Sequence, residues 1–414
     1  MRPTVAIIDL DAISHNVREL RRITSPAAEL MAVVKADAYG HGIVETAAEC
    51  LAAGATRLGV AVIDEAVSLR RAGFDCPILA IGHVPGYSAA TVLDFDITAT
   101  VFSMDDAEAI SEEAGRRGRR ARVHIKVDTG MSRLGVWPDE AGALSVERVV
   151  RLPGLEAEGI FTHFADADEA DKGFARGQFA RFMDFLDRLR ARGVEFRLRH
   201  AANSAALLDL PETHLDMVRP GVLIGGLWPS DAVSRPIDLR PAMTVRTRVA
   251  LVRDVPAGRA VSYGRTYTTS GTVTLATVPL GYHDGYRRGL SNRAFMLVHG
   301  SRAPVRGRVC MDQTIIDVSG LDVRAGDEVI ALGRQGTELV SAEELASLTG
   351  TIGYEVVATV GRRVARLYVR QGRPVRLASI AGRWDVTGWQ DLPWLGVESG
   401  TSVEAERRVR NAAR

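Results

Sequence analysis

The sequence predicts an α/β barrel, a (β/α)8 domain, followed by a mostly β C-terminal domain. Three observations carry this prediction. Between residues 30 and 219, eight short apolar runs alternate with amphipathic segments of helical period, the signature of parallel strands joined by crossover helices. From about residue 237, Val- and Thr-rich runs follow one another across Gly-bearing turns without crossover helices, as antiparallel strands do. The length of 414 residues is enough for two or three domains of roughly 100–200 residues each. On pattern alone, a doubly wound open sheet is the rival to a closed barrel.

In chain order, the opening segment 4–10 (TVAIIDL) is a strand that precedes the barrel count and is expected to join the β-domain. The barrel strands are the runs 30–35, 57–62, 77–82, 96–101, 122–128, 156–164, 195–201 and 214–219. Helical periodicity is plainest at 63–72, 104–117, 138–152 and 174–192. The β-domain runs are 242–255, 272–280, 295–298, 303–309, 314–318 and 356–369, interrupted by one helix that Ser341 and Glu344 open as a capping box. The expected partition is a barrel over 10–236, a β-rich domain over 237–372 with strand 1–9 added, and a tail over 373–414. That tail holds Trp384, Trp389 and Trp394, and nothing in its sequence says where it packs.

Composition narrows the function. Fifty-two basic and 51 acidic residues give a net charge of +1, so neither nucleic acid nor another polyanion is expected as a partner. No apolar run is long enough to span a membrane and the N-terminus has no signal-peptide core, so a cytoplasmic protein is expected. Cys50, Cys76 and Cys310 lie far apart, which excludes a disulfide scaffold and a Cys-rich zinc site, and no metal is expected. Only three of the 52 basic residues are lysines: Lys35, Lys126 and Lys172. A chain that uses arginine almost everywhere keeps lysine mainly where guanidinium fails, because arginine cannot be deprotonated to attack a carbonyl. Lys172, in DEADKGF, reads as a solvated residue.

In such a barrel the active site lies at the C-terminal strand ends. Lys35 closes the first predicted strand, Lys126 and Asp128 the fifth, His163 the sixth and Arg219 the eighth, while Asn203 and Ser204 follow the seventh. Five polar strand ends make a convergent pocket. A semi-buried lysine there has a depressed pKa and becomes nucleophilic toward carbonyls. A lone rim lysine is ordinarily solvated, and lysine scarcity is what favours the reactive reading. Ser204 at a helix start, with the Gly221-Val222 backbone before a short helix, fits the phosphate site of this rim. Together they point to a phosphorylated aldehyde cofactor, pyridoxal 5'-phosphate (PLP), with Arg219 placed to bond the pyridine nitrogen.

Nine segments in order resemble the PLP-dependent alanine racemase family, a fold-type III PLP enzyme family: AVVKADAYGHG (32–42), KVDTGMSRLGV (126–136), THFADAD (162–168), HAANSAALL (200–208), MVRPG (217–221), VSYGRTY (261–267), VPLGYHDGY (278–286), GRVCMDQ (307–313) and IGYEV (352–356). The resemblance runs from about residue 4 to 369. It implies a homodimer with shared active sites acting on a small amino acid. Lys35 then carries PLP covalently and serves as one acid/base, and Tyr263 serves as the other, delivered from the second subunit's β-domain. Arg219 matches the pyridine-nitrogen partner and Arg133 the residue near the cofactor's phenolic oxygen. Tyr39, Ser204, Gly221, Val222 and Tyr354 match the phosphate set, and His163 lies beside the ring. Arg133, Tyr282, Met311 and Asp312 match the substrate side, and Lys126 matches a lysine that is often carbamylated. The family also implies D-alanine synthesis for cell-wall precursors.

Taken alone, Tyr263 reads as an aromatic at a sheet edge, Cys310 as a small hydrophobe and Tyr354 as a helix-capping residue. It is the ordered set that gives them roles. One departure is local: the family usually continues MVRPG to a Tyr-Gly pair, and here Gly225 stands where the tyrosine is expected. The expected reaction is two-base interconversion of L- and D-alanine. Serine or a broader substrate range is the alternative, and a barrel-type PLP decarboxylase is disfavoured because those enzymes usually place an acid, not an arginine, at the pyridine nitrogen.

Overall fold

The structure, a computed structural model, describes residues 2–392 and 395. The chain forms two compact units, one made of the residues up to Ala12 and from Pro241 onward, the other of Ile13–Arg240. The second unit is the barrel. Strands β2 (Glu29–Val33), β3 (Arg57–Val60), β4 (Ile78–Ala80), β5 (Thr98–Val101), β6 (Ala121–Lys126), β7 (Leu155–Phe161), β8 (Leu198–His200) and β9 (Met217–Val218) lie in the order 8-7-6-5-4-3-2-9, every neighbour parallel. Backbone bonds stitch the remaining seam: Asp216 N–H to the Arg199 carbonyl at 3.1 Å and Arg219 N–H to that of Ala202 at 3.0 Å. The sheet therefore closes on itself and does not form the open alternative. Strands β3 and β5 are buried at every residue, as expected where helices cover one face and the barrel core the other.

The helices between strands start where side chains can satisfy their orphan N–H groups. Ser103 accepts from Asp106 N–H at 3.2 Å, Asp139 from Gly142 N–H at 2.8 Å and Asn203 from Ala206 N–H at 3.0 Å. Helices Ile63–Arg71, Met104–Arg116, Glu140–Val150 and Gly173–Ala191 fall within two residues of the periodic segments at each end.

In the other unit, β1 (Val5–Asp9) lies mid-sheet, antiparallel to β10 (Met243–Arg248) and parallel to Ala365–Arg370. A smaller sheet joins Leu251–Val255, Val273–Val278 and Thr314–Asp317. Two sequence expectations need correction here. The run 356–369 is not one strand: a second helix, Gly353–Ala358, precedes the strand Ala365–Arg370. Its valines are apolar in either state, so period does not separate the two. The capping box is half formed: Ser341 Oγ accepts from Glu344 N–H at 3.1 Å, but Arg302 takes the Glu344 carboxylate at 2.6 and 3.0 Å.

The partition at 372 cuts a hairpin. Arg373–Ser379 pairs with Ala365–Arg370, and Gly382–Asp385 pairs onward, so these tail residues extend the main sheet. Leu392, Leu395 and Trp389 then pack on the face of Val5, Leu367 and Leu377. Trp389 donates to the Gly372 carbonyl at 3.2 Å. Trp394 and residues 396–414 lie outside the described residues. Among the described residues no helix is long and apolar enough to cross a membrane.

Candidate active site

Strand β2 ends at Val33, and Lys35 opens a turn of unusual hand. Ala36, Asp37, Ala38 and Tyr39 all have φ near +53°, a left-handed turn of four non-glycine residues. Each such residue costs roughly 1–2 kcal/mol, so the surroundings must hold the turn. Glu65, at the third position of helix Ile63–Arg71, does so: its carboxylate accepts from Ala36 N–H at 2.6 Å and Ala61 N–H at 2.8 Å. Asp37 Oδ1 accepts from Ile43 N–H at 2.8 Å, tying the exit of the turn to the next helix. Lys35 and Tyr39 thus leave the strand end on one rigid turn, with Lys35 Nζ 6.0 Å from the Tyr39 ring centre.

The barrel mouth is cationic. Burial and the nearby Arg133 guanidinium lower the Lys35 pKa, against a partial pull from Glu65. Lys126, the last residue of β6, is buried 4.7 Å over the Phe161 ring, and burial and Arg219 push its pKa well down. Arg219 is buried and has no carboxylate partner among the described residues. Its guanidinium donates to the Thr162 and Ala201 carbonyls at 2.8 and 2.9 Å and to His200 Nδ1 at 3.0 Å. Burial brings its pKa down to about 9, which still leaves it protonated at neutral pH. His163 lies 3.4 Å from Arg219. Burial first, then the charges of Arg219, Lys126, Arg133 and Lys35, keep His163 neutral. Four basic groups therefore act on one imidazole.

Asp128 builds the loop that carries Arg133. Its carboxylate accepts the N–H groups of Gly130, Ser132 and Arg133 at 2.8–3.0 Å. Burial raises the Asp128 pKa, but these bonds outweigh it and hold the group below the usual carboxylate range.

On the strand end beside that of Lys35, Ser204 Oγ accepts from Gly221 N–H at 2.9 Å. A Cβ added at Gly221 would lie 2.5 Å from the Tyr39 hydroxyl, so only glycine lets backbone and phenol meet. Val222 opens a 3-10 turn, where its N–H lacks an intrahelical acceptor. Two hydroxyls and backbone donors, with Lys35 near the Tyr39 ring, form a cradle suited to a phosphate. With a depressed amine on the adjoining strand end, this donor set fits PLP. Gly225 has its own local reason: a Cβ there would meet the His41 ring at 2.8 Å, so His41 fills the space a larger residue would need.

The other unit gathers a second group. Tyr263 opens a short turn after Ser262, itself at φ +63°, and its side chain is 70 % exposed. Ser262 Oγ donates to the Arg308 carbonyl at 2.5 Å and lies 3.5 Å from Cys310 Sγ. Tyr282 N–H donates to the Cys310 carbonyl at 2.9 Å, and His283 N–H to that of Met311 at 3.1 Å. Arg363 bridges Asp312 at 2.6 Å and the buried Asp284 at 2.7 Å. The turn of Tyr263, the turn of Tyr282 and the Met311-Asp312 segment therefore meet, with Tyr282 and Met311 also exposed. Tyr354 lies on helix Gly353–Ala358 of the same unit.

Lys172 is not solvated, as its charged neighbours led us to expect. It is largely buried, donating to the Ala167 carbonyl and pairing with Asp209, both at 2.9 Å. Sequence reasoning missed Glu65, an ordinary acid at the start of a helix, because only the tertiary structure brings the left-handed turn to it.

Comparison with known proteins identifies the family. Residues 8–229 match the family model "Alanine racemase, N-terminal domain" and residues 242–368 "Alanine racemase, C-terminal domain". An alanine racemase of Desulfosudis oleivorans is 51 % identical over 373 residues, covering 88 % of this chain and 96 % of that one. The solved alanine racemase of Clostridium difficile 630 superposes with a TM-score of 0.88 at 38 % identity, covering 92 % and 99 % of the two chains. A histidine racemase from Leuconostoc mesenteroides is more distant, with TM-score 0.82 and 30 % identity over 89 % of this chain and 98 % of its own. Two matched domain models, a relative at half identity over almost its full length and a shared fold leave one assignment: the chain belongs to the alanine racemase family.

Proposed function

We propose that this chain is a PLP-dependent racemase that interconverts L- and D-alanine. The observation that carries the reading is the pairing of a depressed Lys35 amine with the Tyr39–Ser204–Gly221 cradle at one barrel mouth. Lys35, Tyr39, Arg133, His163, Ser204, Arg219, Gly221 and Val222 would hold PLP, with Tyr354 added to the phosphate set by the family resemblance. Bound there, the cofactor supplies a conjugated ring that takes up the electron pair left on Cα when its proton departs.

The chain's residues do the rest. Racemisation needs one acid/base on each face of Cα, and Lys35 Nζ and Tyr263 Oη fill these roles. The lowered Lys35 pKa makes the free amine accessible near neutral pH. Arg219 remains a cation and would disfavour protonation of a cofactor ring nitrogen held at it, which would weaken the electron sink and limit the time available for side reactions. Arg133, Tyr282, Met311 and Asp312 are the substrate-side residues. Lys126, buried and with no ion pair among the described residues, is suited to carbamylation, since a carbamate would bring negative charge near Arg219 and Arg133.

We assign Tyr263 to the second subunit's site in a homodimer. The exposed Tyr263, Tyr282 and Met311 support this, because a proton-transferring phenol needs a dry surround that this face lacks by itself. Substrate identity is the part that fold leaves open, as the histidine racemase neighbour shows. A screen of L-amino acids for loss of optical rotation should pick out alanine. Preference for serine or a broad range would replace that assignment, and CO2 release without racemisation would replace the reaction.

The shared site has its own test. Lys35→Ala and Tyr263→Phe subunits, each inactive alone, should regain activity when mixed. Half the dimers are then mixed, and one of the two sites in each is intact, so recovery approaches about a quarter. No recovery, with subunit exchange shown by mass, places both residues in one chain.

A further inference from the structure

Beneath Arg219 a chain of buried side chains crosses the barrel interior. Arg219 meets His200 Nδ1 at 3.0 Å, His200 Nε2 meets His124 Nδ1 at 2.8 Å, and His124 Nε2 meets Glu158 Oε2 at 3.1 Å. Glu158 is clamped in turn by Arg57 at 3.0 and 3.1 Å and by Arg197. Arg219, His200, His124 and Glu158 are each no more than 6 % exposed. The backbone is shaped for this line. In the β6–β7 ladder Val123 pairs with Ala157 and His124 with Gly159, so Glu158 is the extra residue of a bulge and is re-aimed inward. A Cβ on Gly159 would lie 2.6–2.9 Å from three atoms of the His124 ring. Phe161 stacks flat on His200 at 4.7 Å and fixes that ring from the side.

The ends of the chain dictate its direction. Guanidinium only donates and an ionised carboxylate only accepts. With both imidazoles neutral, one pattern satisfies every contact: Arg219 donates to His200 Nδ1, His200 Nε2–H to His124 Nδ1, and His124 Nε2–H to Glu158. Reversing either ring, or adding a proton to one, sets two donors face to face, most directly at Arg219.

We propose that Glu158, His124 and His200 are positioning residues that hold the Arg219 guanidinium in one orientation and one protonation state through this one-way hydrogen-bond chain. This leaves one Nη1 proton and the Nε proton of Arg219 unused by these bonds. The role of Arg219 at the cofactor ring rests on the proposed function, whereas the direction of the chain does not. Relays of this kind, remote from the reacting atoms, typically change activity by about 10–100-fold when broken.

The test has two arms. Neutron diffraction from deuterium-exchanged crystals of the holoenzyme should place one deuteron on Nε2 of both His124 and His200 and none on either Nδ1. A deuteron on Nδ1 of either ring overturns the proposal, whatever the protein catalyses. In the second arm, Glu158→Gln gives the chain an amide. Its oxygen is expected to face Arg57 and Arg197, leaving its NH2 toward His124 and reversing both rings. The bound cofactor's absorption maximum should shift and kcat should fall about 10–100-fold, with KM for alanine changed less than about threefold. Arg57→Met is the control for a purely structural role, since it weakens the ion pair but keeps the carboxylate acceptor. It should lower thermal stability while leaving the absorption maximum and kcat within about twofold of the parent. If Glu158→Gln behaves like Arg57→Met, or if Arg57→Met also shifts the cofactor spectrum, the ion pair and not the relay is what matters and the proposal fails. If the deuterons lie as expected but no amino acid is racemised, the fault lies in the functional reading and not in the chain.

Discussion

The left-handed turn behind Lys35 makes Glu65 a stability determinant out of proportion to its place on a surface helix. Four consecutive residues at φ near +53° store about 4–8 kcal/mol. Within the turn, Ala38 N–H reaches the Val34 carbonyl at 2.8 Å, Gly40 N–H that of Ala36 at 3.0 Å, and Gly42 N–H that of Asp37 at 2.8 Å. At about 1 kcal/mol each these bonds fall short of the strain, and the Glu65 carboxylate supplies the remainder through its bonds to Ala36 and Ala61. Charged hydrogen bonds contribute about 1.5–3 kcal/mol each, and the lower end applies because Glu65 is half-exposed. Glu65→Gln keeps one acceptor and turns an NH2 toward the other N–H. The expected loss is about 2 kcal/mol. For a unit of this size that is a fall in Tm of roughly 4–8 °C. Thermal unfolding of the cofactor-free protein measures it, and hydrogen exchange at Ala36 should quicken. Asp64→Asn, exposed on the same helical turn, should stay within about 0.5 kcal/mol. If Glu65→Gln matched Asp64→Asn in both readouts, the strain argument would be wrong.

Two further outcomes follow from the site. His124, His163 and His200 all have pKa values lowered from 6.5, chiefly by burial, so the unfolded chain binds protons that the folded chain refuses. Their contribution is complete above pH 6.5 and is lost as pH falls below it, at up to about 1.4 kcal/mol per pH unit for each imidazole. Tm should therefore drop steeply between pH 6.5 and 5.5, and a flat profile there would show these rings to be protonated in the fold. Tyr263→Phe should slow solvent-deuterium uptake at Cα of L-alanine by about 10²–10⁴-fold while sparing D-alanine, whose proton goes to Lys35. Net racemisation should fall equally in both directions, because the equilibrium constant between enantiomers is one. Equal, small losses of uptake for both enantiomers would place another group on that face.

The eight barrel strands, the β-rich second half, the joining of β1 to it and the strand-end positions of Lys35, Lys126, His163, Ser204 and Arg219 were all legible in the sequence. Each rests on a local property, either hydrophobic period or residue chemistry at the end of an apolar run. Lysine scarcity also singled out Lys35 and Lys126 without coordinates. It misled at Lys172, because a charged neighbourhood in sequence says nothing of the Asp209 that tertiary packing brings to it. What only the tertiary structure decided depends on partners far apart in the chain or on backbone hand. The left-handed turn at 36–39 has no residue signature, since alanine, aspartate and tyrosine normally avoid it, and it exists because Glu65 meets it. The line from Arg219 to Glu158 joins β9 to β7 through a bulge whose register no apolar pattern specifies. The tail hairpin 373–385 follows from an open sheet edge that is present only once β1 has paired with Ala365–Arg370. Local sequence sets which groups reach the barrel mouth. Long-range packing sets their protonation and direction, because both depend on burial and on facing charges that exist only in the fold.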